Sequence, residues 1–305
     1  MTTANVKARG TRPHPRPRSA RCPCAVGMRV VRFIDRSRTI RLPDGKTSPR
    51  VLVTVVRYPA PGSPSGTDLT DAPTERASSP FPLIVFGHGY TVTPAPYARL
   101  LRAWASAGYV VAAPIFPLEN RNAPGGPNES DLVNQPADMR FVISRMVAAG
   151  DAAANPLRRM IDPTRIAVAG HSDGGDTALA AAYDPRFRDA RIRAAVILSG
   201  AEIPGLGGLT FPRGGPPLLA TQGTADTINP PAFTYAFYDI APRPKFLLTL
   251  VGSEHLPPYS YQQPQLGIVE RVTIAFLDHY FRRGSLRRLI TLGDVSGIAH
   301  LASSP

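Results

Sequence analysis

The chain has 305 residues, 43% of them hydrophobic and 19% charged, with a formal net charge of +13, enough apolar material for a sizeable core. No stretch approaches the roughly 18 consecutive apolar residues that cross a bilayer, so no transmembrane segment is expected. Two cysteines, Cys22 and Cys24, lie too close together to staple a core, and two thiols are too few for a structural zinc site.

The charge is local. Residues 1–50 hold 13 Lys/Arg against Asp35 and Asp44 and carry +11, which leaves +2 for the other 255 residues. The stretch RGTRPHPRPRSARCP has no helical or strand period, and its prolines oppose both. Residues 1–27 are therefore expected to be a disordered basic tail, and the near-neutral body gives no expectation of a nucleic-acid partner. The N-terminus lacks an apolar segment and a small-residue cleavage site, so no secretory signal is visible and the cytoplasm is the default location.

From Met28 the pattern changes. MRVVRFID and RVLVTVVRY read as strands around the turn LPDGKTSP, and residues 60–80 as a polar loop. PLIVFG (82–87), YVVAAP (109–114), RIAVAG (165–170), RAAVILSG (193–200), PLLATQG (217–223) and KFLLTLVG (245–252) are short runs apolar on both faces, as in a buried parallel sheet. Helices are predicted between them at 96–108, 135–150, 176–183 and 268–284, the last ending on basic residues and a glycine. Alternating strands and helices mean one α/β domain over 28–290, a mostly parallel central sheet with helices on both faces. Residues 291–305 are expected to be a C-terminal tail.

In such sheets ligands bind at the carboxyl ends of the strands. There, Gly170-His171-Ser172-Asp173-Gly174 fits G-x-S-x-G between an apolar run and an Ala-rich helix, the setting of a nucleophile elbow. A serine hydroxyl needs a base oriented by a carboxylate. Of six histidines, His14 lies in the tail, His279 in a helix, His300 near the C-terminus, and His88 and His171 in glycine-rich turns. His255, in GSEHLPPY just past the last strand run, remains as candidate base. Asp226, in TQGTADTINP, is the candidate acid; Asp239 falls in the next helix, and Glu254 stands too close in sequence to orient His255 easily. The backbone N–H of Asp173 and that of Tyr90, in FGHGYT, are the candidate oxyanion donors, with Gly87 and Gly89 letting the second loop turn inward. No G-K-[ST] or G-x-G-x-x-G is present, so no nucleotide cofactor is expected.

PLIVFGHGYTVTPAPYARLLRAWASAGYVVAAPIF, DPTRIAVAGHSDGG, GTADTINPP and HLPPY together resemble the serine α/β-hydrolases related to chlorophyllases, platelet-activating-factor acetylhydrolases and cutinase-type polyester hydrolases. The resemblance spans roughly residues 28–290. It implies a cofactor-free carboxylic-ester hydrolase acting on a small-molecule ester, with Ser172, Asp226 and His255 as triad and the Tyr90 and Asp173 N–H groups as oxyanion donors. Between two strand runs GAEIPGLGGLTFPRGG is too short and glycine-rich for a helical cap, so no large cap domain is expected. PLENRNAPGGPNESDLVNQP (117–136) reads as a polar loop that rims the cleft without an apolar face to close over it. The chain departs from these relatives in places. LSGAEIPG stands where polyester hydrolases carry a tryptophan, the lone Trp104 reads as helix core, and their C-terminal disulfide is absent. Dienelactone hydrolases use cysteine where this chain has Ser172, and many relatives are exported. A peptidase or acyltransferase on the same fold is the nearest rival, and a catalytically silent hydrolase-fold binding protein is the rival from another class.

Overall fold

The computed structural model describes residues 23–76, 78–202, 206, 211–212 and 214–305. A long hairpin, β1 (Ala25–Arg41) and β2 (Thr47–Ala60), leads by the short β3 (Leu69–Thr70) into alternating units. These are β4 (Phe81–Gly87), α1 (Ala98–Ser106), β5 (Val110–Ile115), α2 (Gln135–Asp151), β6 (Ile161–His171), α3 (Asp173–Tyr183), β7 (Ile192–Leu198), β8 (Leu218–Gly223), α4 (Pro231–Ile240) and β9 (Lys245–Leu250). The short α5 (Pro257–Ser260), then α6 (Gln265–Arg282), α7 (Leu286–Gly293) and β10 (Ala299–Ser304), complete the chain. The ten strands form one sheet in the order β10-β9-β8-β7-β6-β4-β5-β2-β1-β3. Its centre, from β5 to β9, is parallel, and β2 and β10 join antiparallel at its flanks.

The doubly apolar strands sit between two helical layers, as their composition requires. Leu83 and Val85 of β4 point to one side and pack with Met139, Val142 and Ile143 of α2 and Ala178 and Ala181 of α3. Ile84 and Phe86 point to the other, with Leu100, Leu101 and Trp104 of α1 and Val269, Val272 and Phe276 of α6. Trp104 is fully buried and donates its Nε1–H to Thr273 Oγ1 at 2.8 Å, a core role. No helix among the described residues is long and apolar enough to cross a membrane.

Both expected boundaries shift. Residues 291–305, expected as a tail, contain the end of α7 and the edge strand β10, which pairs with β9 and buries Ala299 and Leu301. At the other end β1 starts before Met28. Ala25 and Val26 are buried, and Ala25 N–H donates to Gly62 O and Cys24 N–H to Ser106 O. Residues 1–22 of the expected tail lie outside the described residues, as does most of 203–213 in the segment between β7 and β8 where no cap was expected.

Candidate active site

Ser172 joins β6 to α3 at φ 54° and ψ −129°. This conformation costs a residue with a side chain on the order of 1–3 kcal/mol and persists only where surroundings enforce it. Here a Cβ on Gly170 would overlap the Gly174 carbonyl, and one on Gly174 would overlap the Gly87 backbone. The motif glycines therefore let strand, helix and the loop after β4 meet backbone to backbone. Ser172 N–H donates to Leu198 O at 3.0 Å, which fixes the turn to β7.

Asp226 and His255 come together from the loops after β8 and β9. A Cβ on Gly223 would collide with the Ser253 carbonyl, so that glycine permits the approach. His255 Nδ1–H donates to Asp226 Oδ2 at 2.8 Å. Asp226 Oδ1 accepts the N–H groups of Ile228 and Asn229 at 3.0 and 2.9 Å, and Gln222 Nε2 reaches Oδ2 at 3.3 Å. Although burial works in the opposite direction, these bonds and the His255 charge hold the Asp226 carboxyl below the usual carboxylate range. Ser172, Asp226 and His255 are all buried. Of the rival acids, Asp239 lies on α4, and Glu254 is exposed.

The loop after β4 passes beside the nucleophile, and a Cβ on Gly89 would stand 3.1 Å from Ser172 Cβ. Tyr90 N–H has no acceptor among the described residues, and Asp173, first residue of α3, has an N–H without an intrahelical partner. The loop itself is anchored by His88. Its Nε2 accepts Phe116 N–H at 3.0 Å and its Nδ1–H donates to Gly89 O at 2.9 Å, which fixes a neutral tautomer, and burial lowers its pKa to about 4.

Two further side chains that sequence reasoning left as turn residues or did not name connect these parts. Tyr97 O–H accepts from Gly89 N–H at 3.3 Å and donates to His171 Nδ1 at 2.8 Å. His171 Nε2–H then donates to the backbone carbonyl of His255 at 2.9 Å, and the two imidazoles meet at a tilt of 51° with centroids 4.5 Å apart. Burial, and next the His255 charge, drive the His171 pKa down to about 3, so the ring stays neutral and keeps these directions. Its partners stand 74 and 84 residues away, beyond any local pattern.

A search of the curated proteins finds no match. The chlorophyllase family model matches residues 45–199, which run from β2 to the end of β7 and include the Ser172 turn and the loop after β4. Asp226 and His255 lie beyond the matched span. With that match over half of its length on a mostly parallel ten-stranded sheet, the chain belongs to the chlorophyllase family and is a hydrolase of the serine α/β-hydrolase superfamily.

Proposed function

We propose that the protein is a carboxylic-ester hydrolase working through an acyl-enzyme on Ser172. The observation that carries this reading is the Asp226–His255 hydrogen bond in the loops beside a serine held on a strained strand-to-helix turn. Asp226 fixes the Nδ1–H tautomer of His255, which leaves Nε2 as the basic nitrogen. His255 Nε2 takes the Ser172 proton as Oγ bonds to the ester carbonyl carbon. The carbonyl electrons move onto oxygen, where the N–H groups of Tyr90 and Asp173 stabilise the charge. Collapse of that intermediate expels the alcohol, which receives the proton from His255. Water, deprotonated by the same base, then releases the acid and restores Ser172.

Short-acyl, soluble esters fit this site best. Residues 117–134 contain a six-residue 3₁₀ turn and otherwise loop, not an amphipathic lid. Fluorophosphonate labelling, followed by an ester panel varying acyl and alcohol parts, tests the reading. Labelling lost in Ser172→Ala and hydrolysis of short-acyl esters support it. An unlabelled wild-type protein without esterase activity would overturn it in favour of a silent binding protein.

A further inference from the structure

Glu119 is fully buried four residues past β5, and the mechanism above gives it no part. Its main chain and side chain hold two different pieces of the site. The Glu119 carbonyl accepts Thr91 N–H at 2.9 Å, next to the candidate oxyanion donor Tyr90, and the neighbouring Asn120 forms a bridge with Thr91. Its side-chain Oε2 accepts from Gln135 Nε2, and Gln135 Oε1 accepts from Thr177 Oγ1 on α3 at 2.8 Å. That leaves Glu119 Oε1 and Asp173 Oδ2. Both are buried, neither has a hydrogen-bond donor among the described groups, and each carboxyl lies within reach of the other's field and hydrogen-bonding range.

Two carboxylates in contact cannot both stay ionised, so one retains a proton. We propose that Glu119 is a positioning residue that donates this proton to Asp173 and so clamps the loop bearing Tyr90 to the start of α3. The proposal rests on the reading of the Tyr90 and Asp173 N–H groups as oxyanion donors. A clamp at that point sets the spacing of both donors, so its loss lowers the rate of the chemical step more than substrate binding.

The surrounding charges agree on which carboxyl keeps the proton. Burial, and then the charge of Asp173, raise the Glu119 pKa to about 9, whereas burial and Glu129 raise Asp173 only to about 6. Asp131 adds a further negative charge toward Glu119, and the buried Asp176 faces both carboxyls. The His255 charge works in the opposite direction on Asp173, lowering its pKa, which favours the proton on Glu119. The pair is donor and acceptor at neutral pH and becomes two repelling anions in alkali.

The test compares wild type, Glu119→Gln and Glu119→Ala, with kcat and KM on a soluble butyrate ester measured from pH 6 to 10.5. The wild-type kcat should fall along an alkaline limb near pH 9 while KM holds steady. The side-chain amide introduced by E119Q donates to Asp173 and accepts from Gln135 without titrating, so this variant should keep kcat within a few-fold at pH 7 and lack that limb. E119A should lose about 10²-fold in kcat at every pH. An unchanged alkaline limb in E119Q, or full kcat in E119A, overturns the proposal; should E119A fail to fold, E119Q alone decides. Thermal midpoints read the shared proton without any activity. A wild-type midpoint that falls relative to that of E119Q between about pH 5 and 9 upholds the pair, and parallel midpoints refute it. If the wild type hydrolyses no ester, the esterase reading fails separately and the midpoints still decide the pair.

Discussion

His171 Nε2–H donates to the backbone carbonyl of His255 at 2.9 Å, so the residue before the candidate nucleophile holds the main chain of the candidate base. The other ring nitrogen accepts from Tyr97, whose hydroxyl accepts Gly89 N–H, and one neutral imidazole thereby ties three loops together. Replacing His171 with Leu leaves the Tyr97 hydroxyl and the His255 carbonyl without their partner, at about 1–3 kcal/mol for each buried group. We expect a lowered thermal midpoint and a kcat reduced by up to about 10²-fold as His255 drifts, with KM little changed. Steady-state kinetics and a melting curve on the same sample check this; an unchanged kcat would reduce His171 to a packing role.

Ser172→Ala and His255→Ala should each remove on the order of 10⁴-fold or more of the hydrolysis rate while the protein still folds, because triad members act as a unit. Ser172→Ala retaining more than about a tenth of the activity would sink the mechanism. Asp226→Asn should be severe and Glu254→Gln mild. The Asp226 pKa is held down, so its stabilising contribution is present above the ordinary carboxylate value and disappears as pH falls through the lowered one. The stability cost of Asp226→Asn, read from urea midpoints, should therefore be largest near neutral pH and shrink toward pH 3.

The parts of this site differ in how far the sequence displays them. The fold is written in runs such as LIVF and AVILS, whose doubly apolar character survives any local ambiguity, and a G-x-S-x-G turn carries its own glycines. His171 and Glu119 carry no such mark. Their roles depend on Tyr97, His255, Asp173 and Gln135, which reach them only after the strands pair. By sequence Glu119 belongs to a polar rim because PLENRN looks solvated, yet burial of its carboxyl is what forces it to share a proton. The edge strand β10 escapes for the opposite reason, since AHLASS is too short and too polar to stand out.

Arg50 predicts a different kind of failure. It is 2% exposed and spans the β2 hairpin and α2, with Nε and Nη2 donating to Asp138 at 2.7 Å and Nη1 donating to Asp131 at 2.8 Å. Arg50→Met leaves Asp138 with only Arg38 and Asp131 with only Asn134, and removing one partner of a buried pair costs about 3–5 kcal/mol. Urea unfolding should show that loss, and a change below about 1 kcal/mol would mean that water reaches the carboxylates.

The buried Ala25 and Val26 decide where the chain can be shortened. A chain begun at Pro23 keeps both residues and the Cys24–Ser106 hydrogen bonds, so its melting temperature should match that of the full chain. Begun at Met28, it loses the Val26 packing and these bonds, about 2–3 kcal/mol of stability. Equal melting temperatures for the two shortened chains would show that the first residues of β1 contribute nothing.

The mouth of the site bears on the substrate. Ile228, in the loop just after Asp226, is 67% exposed, and Tyr90 is 38% exposed with its hydroxyl donating to Pro127 O at 3.3 Å. We expect these exposed apolar side chains to hold a short acyl or alcohol group. A lipase hides its site under an amphipathic lid that opens on a lipid surface, and the six-residue 3₁₀ turn at Glu129–Asn134 is too short for that task. We therefore expect butyrate esters to be hydrolysed with ordinary saturation kinetics and long-chain triacylglycerols poorly. Rate measured against ester concentration across the solubility limit is the test. A sharp rise at that limit, or a preference for long acyl chains, would mean that a segment of this protein does act as a lid.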